Sequence, residues 1–162
     1  MTLANKITLG RLALIPLCVV LLLAGLYGLA ATLFLLLSLS DYLDGYVARK
    51  YNQVSDLGKK LDPLADKILV LSMLIGLTGL GKADPAAVML ICAREFLVAS
   101  FRGSRTFPAS PLAKWKTVAQ IVAILLLLFN FPFAWLALWF AVLFSLVTGG
   151  AYLWQIKILD QR

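Results

Sequence analysis

The chain has 162 residues, of which 62% are hydrophobic, and it carries a formal net charge of +7. That apolar share excludes a water-soluble globular domain, because so small a domain cannot bury so much apolar surface. The chain has no histidine, so Ser-His-Asp triads and histidine metal sites are excluded. Any general base must then be a carboxylate or a lysine.

In chain order, apolar runs of near twenty residues predict an all-α, polytopic membrane protein with six transmembrane helices. Residues 1–11 mix polar and apolar positions and predict a short N-terminal segment lying on the membrane surface. The predicted spans cover residues 9–26, 30–50, 58–80, 85–101, 112–129 and 133–158. No repeat or second domain is visible, so residues 1–162 are predicted to form a single domain.

The basic residues are distributed unevenly over this arrangement. Fourteen of the 15 lysines and arginines fall on one side of the six spans, and only Lys82 falls on the other. Since cytoplasmic loops are enriched in lysine and arginine, both termini are predicted to face the cytoplasm, in a cell (plasma or inner) membrane. The cations are scattered singly or in pairs, which suits lipid phosphates better than nucleic acid. We therefore expect no nucleic-acid partner.

Two groups of acidic and small residues flank the connection between the second and third predicted spans. They are Asp41, Asp44, Gly45, Ala48 and Arg49, followed by Gly58, Asp62 and Asp66. Residues three, four, seven or eight apart share a helical face, so two facing helices would bring four carboxylates together. Four carboxylates that close cannot all stay ionised without cations between them. Oxygen ligands suit Mg2+ or Mn2+, and this junction is therefore a predicted divalent-metal site.

The spacing Asp-x2-Asp-Gly-x2-Ala-Arg-x8-Gly-x3-Asp-x3-Asp resembles the signature of the CDP-alcohol phosphotransferase family, and every fixed position is present. The similarity extends over nearly the whole chain. It implies transfer of a phosphoalcohol group from a CDP-linked lipid to an acceptor hydroxyl, with release of CMP. It also implies two divalent ions, Mg2+ or Mn2+, and a homodimer.

The same resemblance implies a role for each residue of the site. Asp41, Asp44, Asp62 and Asp66 would ligate the metals, and Asp66 would also be the catalytic base that accepts the proton of the acceptor hydroxyl. The residues implied for CDP binding are Asn5, Thr8, Gly45, Ala48, Arg49 and Gly58.

Three further segments, 61–67, 94–96 and 114–117, resemble the phosphatidylglycerophosphate synthases of this family. In that branch the donor is CDP-diacylglycerol and the acceptor is sn-glycerol 3-phosphate. A dianionic acceptor needs cationic donors, and the candidates for binding its phosphate are Arg94, Arg102, Lys114 and Lys116. The alternative for Arg94 and Glu95 is that they neutralise partners in neighbouring helices.

The sequence is compatible with other functions. Within the family, the alternatives are phosphatidylinositol phosphate, phosphatidylserine and cardiolipin synthases. From a different class, a divalent-cation transporter could use the same four acids, although Asp84 is the only carboxylate assigned to the far side of the membrane. A non-catalytic membrane scaffold is a third alternative, but it leaves the spacing of the signature unexplained.

Overall fold

Each predicted span overlaps one α-helix over most of its length. The structure, a computed structural model, describes residues 3–50, 56–102 and 111–160, with the side chains of 8–40, 64–100, 115–152 and 154. The helices within those ranges are α1 (Leu3–Leu23), α2 (Tyr27–Lys50), α3 (Asp56–Gly79), α4 (Pro85–Arg102), α5 (Pro111–Leu128) and α6 (Ala134–Asp160). The prediction of an all-α chain with six helices is confirmed.

The start of the chain differs in one respect from the prediction. Residues 1–11 were expected to form a separate surface segment, but α1 runs without a break from Leu3 to Leu23. It passes through Pro16, which removes one backbone N–H from the helical ladder. The first turn of α1 contains Asn5 and Lys6, so it is the more polar end of one continuous helix.

Length and composition alone identify a single stretch of the described residues as able to cross a membrane. This is Ala134–Tyr152 in α6, and the shorter apolar stretches are Thr8–Leu23, Tyr27–Ser40 and Trp115–Leu128.

The chain divides into two compact units, Met1–Gly76 and Leu77–Arg162. In the first unit, α1 packs against α2, and the turn between them is built on Gly25, which has a φ of 77°. The N–H of Leu26 donates to Leu21 O at 3.0 Å and that of Gly25 to Leu22 O at 3.1 Å. This is the Schellman pattern that ends a helix at a left-handed glycine.

The core of the first unit joins α1 to α3 as well. The thiol of Cys18 donates to Ala30 O at 3.5 Å and to Met73 Sδ at 3.6 Å. Gly76 allows the close approach, since a Cβ there would lie 2.7 Å from Cδ2 of the buried Leu22. These contacts fix the helices that carry the signature at their far ends.

In the second unit, α6 packs against both α4 and α5. The carboxylate of Asp84 accepts a hydrogen bond from the Ala86 N–H at 2.8 Å and caps α4, with Pro85 in the first helical position. At the end of α5, Asn130 has a φ of 50° and the Phe131 N–H donates to Leu126 O at 2.9 Å. Asparagine tolerates this left-handed conformation better than most residues.

Candidate active site

The two halves of the signature occupy adjoining helix ends in the first unit. Residues 41–49 lie in the C-terminal part of α2, and residues 58–66 lie in the N-terminal part of α3. Because both segments are helical, the three- and four-residue spacings do place residues of each half on shared helical faces. The prediction that the signature lies on two consecutive helices is confirmed.

The connection between the two helix ends is short. Residues 51–55 join Lys50 to Asp56, and six steps of extended chain span at most about 22 Å. Lys50 at the end of α2 and Asp56 at the start of α3 are therefore at most about 22 Å apart. The side chains of Asp41, Asp44 and Asp62 lie outside the described residues, as do those of Gly45, Ala48, Arg49 and Gly58.

Asp66 is the signature aspartate whose side chain the structure describes. It is partly exposed, and the neighbouring Ala65 is fully buried. Among the described side chains, no three acids, cysteines or histidines come together as a metal site. The metal-binding role of the four aspartates therefore remains a prediction from their spacing.

The two residues expected to contact the nucleotide from α1 lie in its first two turns. The Asn5 side chain lies outside the described residues, whereas Thr8 is fully buried. Arg11, one turn later, is 2% exposed. A buried arginine is rare unless its charge is compensated. This end of α1 therefore places polar side chains in the interior of the first unit.

The second unit contains a cluster of polar and charged side chains, the Arg94 cluster, formed by Arg94, Glu95, Lys116, Ser145 and Thr148. The Nε–H of Arg94 donates to Ser145 O at 2.8 Å, and NH2 donates to Thr148 Oγ1 at 3.0 Å. NH1 donates to Glu95 Oε1 at 2.9 Å. Arg94 of α4 is thereby fixed against α6.

Glu95 links the same cluster to α5. The ammonium of Lys116 donates to Oε1 of Glu95, the oxygen that also accepts from Arg94. Glu95 is 3% exposed and Lys116 is 8% exposed. Glu95 thus neutralises a cation of a neighbouring helix, as the alternative prediction has it, whereas the ion pair of Arg94 is with Glu95 of its own helix. These contacts also bring two of the four acceptor candidates together.

The other two acceptor candidates lie at the facing ends of two helices that are consecutive in the chain, the end of α4 and the start of α5. Arg102 is the last residue of α4, and Lys114 lies in the first turn of α5. Their side chains lie outside the described residues.

Four polar or small residues in or near the Arg94 cluster were not predicted as site residues from the sequence: Ser145, Thr148, Gly149 and Gln120. Ser145, Thr148 and Gly149 interrupt the apolar sequence of α6 at spacings of three and four, which place them on one side of that helix. Gln120 follows Lys116 by one turn and is 3% exposed, and its Nε2 has no hydrogen-bond partner in the described structure. Polar and small residues that interrupt apolar helices are the sequence signal by which these four residues could have been identified.

Comparison with known proteins agrees with the motif. Residues 1–147 match the model of the family described as CDP-alcohol phosphatidyltransferase, a range that includes both halves of the signature and most of both units. The chain belongs to this family. The family prediction made from the spacing of the aspartates is confirmed.

Individual members of the family are similar over most of their length. The chain is 41% identical to a protein of Bacillus subtilis (strain 168), covering 93% of this chain and 92% of that protein. It is 38% identical to one of Rickettsia bellii, with the same coverage, and 35% identical to one of Pseudomonas fluorescens, covering 96% and 87%. All three are named CDP-diacylglycerol--glycerol-3-phosphate 3-phosphatidyltransferase.

The residues at the signature positions fit the divalent metal that the family resemblance implies. All four candidate ligands are aspartates, which offer the hard oxygen donors that Mg2+ and Mn2+ prefer. Asp41 and Asp44 are three apart within α2, and Asp62 and Asp66 are four apart within α3. Each pair can therefore serve one ion from a single helical face.

Proposed function

We propose that this chain transfers the phosphatidyl group of CDP-diacylglycerol to sn-glycerol 3-phosphate, giving phosphatidylglycerophosphate and CMP. The observation that carries the proposal is the naming of the similar proteins. Relatives 35% to 41% identical, covering 93% to 96% of this chain, are named for this reaction. The complete signature on α2 and α3 supports the reaction class independently, because it provides four carboxylates at adjoining helix ends.

In this proposal Asp41, Asp44, Asp62 and Asp66 hold two divalent ions. When bound, Mg2+ or Mn2+ offsets the charge of the pyrophosphate and stabilises the leaving CMP. Gly45 and Gly58 lack side chains and so leave room for the nucleotide to lie against the helix backbone.

Four further residues would contact the nucleotide in the same proposal. Arg49, at the end of α2, binds phosphate. Asn5 and Thr8 contact the nucleotide from α1, and Ala48 contributes a small surface beside Gly45.

The transfer is a direct displacement at phosphorus. The acceptor hydroxyl oxygen forms a bond to the phosphorus of the phosphatidyl group, and the bond from that phosphorus to the CMP oxygen breaks. The proton of the hydroxyl passes to Asp66, the general base in this proposal. Such a displacement depends mainly on positioning and on charge neutralisation, so the protein need not form a covalent intermediate.

The phosphate of the acceptor is a dianion and needs charged hydrogen-bond donors. Arg94, Arg102, Lys114 and Lys116 supply them in this proposal. Arg94 and Lys116 meet at one oxygen of Glu95, which supports a shared role for these two. Arg102 lies in the last turn of α4 and Lys114 in the first turn of α5, the next helix in the chain.

We further propose that all six helices cross the membrane and that both termini and the active site face the cytoplasm. The helices have 18 to 27 residues, which corresponds to about 27–40 Å of helix against a hydrocarbon layer of about 30 Å. Large apolar side chains cover the outside: Trp115, Phe133, Trp135, Phe140 and Trp154 are each more than half exposed. So much exposed apolar surface favours contact with lipid.

In this proposal the enzyme is a homodimer, an expectation that comes from the family resemblance. Light scattering of the protein in detergent tests it, because a monomer contributes 17.7 kDa to the mass of the particle.

The decisive experiment measures CMP release by the purified protein in mixed micelles with CDP-diacylglycerol and Mg2+. We expect CMP and phosphatidylglycerophosphate with sn-glycerol 3-phosphate, and at least about a hundredfold loss in Asp62→Asn, because an amide ligates a metal more weakly than a carboxylate. Asp84→Asn is the matched control, since asparagine also caps a helix, and it should retain full activity.

Other outcomes would contradict different parts of the proposal. CMP release only with inositol phosphate, serine or phosphatidylglycerol would overturn the acceptor while leaving the reaction class intact. Transport of a divalent cation by vesicles containing the protein, without any CMP release, would overturn the enzymatic function and support a transporter.

A further inference from the structure

Glu95 contacts both cations of the Arg94 cluster through a single atom. Its Oε1 accepts a hydrogen bond from NH1 of Arg94 at 2.9 Å and a second from Nζ of Lys116. The two cations belong to different helices, α4 and α5, and Glu95 is 3% exposed. It is also the only glutamate in the sequence. One buried carboxylate oxygen thus sets the spacing between a guanidinium and an ammonium group.

Arg94 is held on its other side by α6. Its Nε–H donates to Ser145 O, and its NH2 donates to Thr148 Oγ1. Gly149 leaves the space for this arrangement, because a Cβ there would lie 2.8 Å from Nε of Arg94. Three of the five N–H donors of the guanidinium are used in these bonds, and two are not used within the described part of the chain.

A carboxylate at this point has two opposing effects on the binding of a phosphate. It reduces their mutual repulsion and so allows both to be buried side by side. It would also repel an incoming phosphate. A carboxylate in such a place therefore aids phosphate binding only if the fixed spacing of the cations is worth more than that repulsion.

We propose that Glu95 is a positioning residue for the phosphate of the acceptor, which holds Arg94 and Lys116 at the spacing that binds this phosphate. Glu95 itself touches neither substrate. The inference rests on the proposed function, since it assigns a partner to the acceptor site of that reaction. Recognition of the acceptor then depends on the length of the Glu95 side chain as well as on its charge.

Glu95→Asp is the variant that separates positioning from charge. It keeps the carboxylate but withdraws it by one methylene, so it can no longer meet both cations where they now lie. If Glu95 only neutralised charge, this change would have little effect on either substrate. Asp84→Glu is the matched control, because it also changes the length of a carboxylate by one methylene in the same unit but at the cap of α4.

The test compares the KM values of both substrates in parent and variants, with melting temperature as the check on folding. For Glu95→Asp we expect the KM of sn-glycerol 3-phosphate to rise about tenfold or more, which corresponds to the loss of one charge-assisted hydrogen bond. The KM of CDP-diacylglycerol and kcat should stay within about twofold. The inhibition constant of inorganic phosphate, competing with the acceptor, should rise in parallel.

Glu95→Gln is the second variant, and it keeps the inference testable if Glu95→Asp does not fold. It preserves the length of the side chain but holds two cations only weakly, so we again expect a selective rise in the acceptor KM. A fall in that KM would mean that removal of a repulsive charge dominates, which would overturn the inference.

Two results distinguish failure of this inference from failure of the proposed function. If the parent releases CMP with sn-glycerol 3-phosphate and folded Glu95→Asp changes both KM values equally, or neither, Glu95 is not a positioning residue and the proposed function stands. If the parent releases no CMP with sn-glycerol 3-phosphate, the proposed function is wrong and the inference is wrong with it.

Discussion

Gly149 and Arg94 lie so close together that a Cβ on Gly149 would be 2.8 Å from Nε of Arg94 and 3.1 Å from its Cγ. The side chain of Arg94 has little freedom to withdraw, since its guanidinium donates hydrogen bonds to Ser145, Thr148 and Glu95. The absence of a side chain at Gly149 of α6 thus leaves the space in which the side chain of Arg94 lies.

Gly149→Ala should therefore destabilise the protein and impair acceptor binding. Overpacking of a close contact costs about 1–3 kcal/mol, and here the displaced group is the charged head of Arg94. We expect a lower melting temperature in detergent and a raised KM for sn-glycerol 3-phosphate.

The adjacent glycine provides the control for this substitution. A Cβ on Gly150 would meet nothing within 4 Å, and alanine is favoured over glycine within a helix by about 1 kcal/mol. Gly150→Ala should leave activity unchanged and the melting temperature equal or higher. Equal effects of the two substitutions would contradict the account, because helix propensity rather than the Arg94 contact would then explain both.

Thr148 tests the same contact through a hydrogen bond. Its Oγ1 accepts from NH2 of Arg94 at 3.0 Å while donating to Phe144 O at 2.9 Å. Thr148→Val keeps the shape but leaves a buried donor without its partner, which costs about 1–3 kcal/mol. We expect a lower melting temperature in thermal denaturation.

Thr32→Val is the matched control for Thr148→Val. The Thr32 hydroxyl also donates to a carbonyl one turn earlier, Gly28 O at 2.9 Å, but this side chain is exposed. The change should be close to neutral. If Thr148→Val were as mild as Thr32→Val, the bond from Arg94 would contribute little to stability.

The helices were predictable from the sequence because local signals define them. Apolar runs mark the helix interiors, and Gly25, Gly81 and Asn130 mark left-handed turns, with φ values of 77°, 69° and 50°. Apart from the start of α1, each predicted helix end lies within three residues of the observed one. The placement of the signature residues on two consecutive helices, α2 and α3, was predictable for the same reason.

The partners of Arg94 could not be predicted in the same way. Ser145 and Thr148 are 51 and 54 residues away along the chain, and no local signal specifies which helix packs against α4. Their charge and the family resemblance of their segments made Arg94 and Lys116 candidates for phosphate binding, but neither showed that both share one oxygen of Glu95. That relationship depends on the packing of three helices.

Removal of divalent metal tests the role of the four aspartates. Chelation with EDTA should abolish CMP release, and added Mg2+ or Mn2+ should restore it, because carboxylate ligands favour hard divalent ions. Asp41→Asn should require a higher Mg2+ concentration for half-maximal activity or be inactive at any concentration. Full activity of the parent protein in excess EDTA would contradict a metal-assisted mechanism.

The orientation of the helices can be tested with single cysteines in intact cells. In a background with Cys18→Ala and Cys92→Ala, we expect a membrane-impermeant thiol reagent to label Phe131→Cys, because the turn between α5 and α6 should lie outside the cytoplasm. Phe131 is 59% exposed, so the reagent can reach this position. Ser55→Cys, between α2 and α3, should be labelled only after the cells are opened, since the cation-rich side faces inward. Labelling of both positions in intact cells would contradict the six-span topology, and labelling of Ser55→Cys alone would place the signature on the outer side.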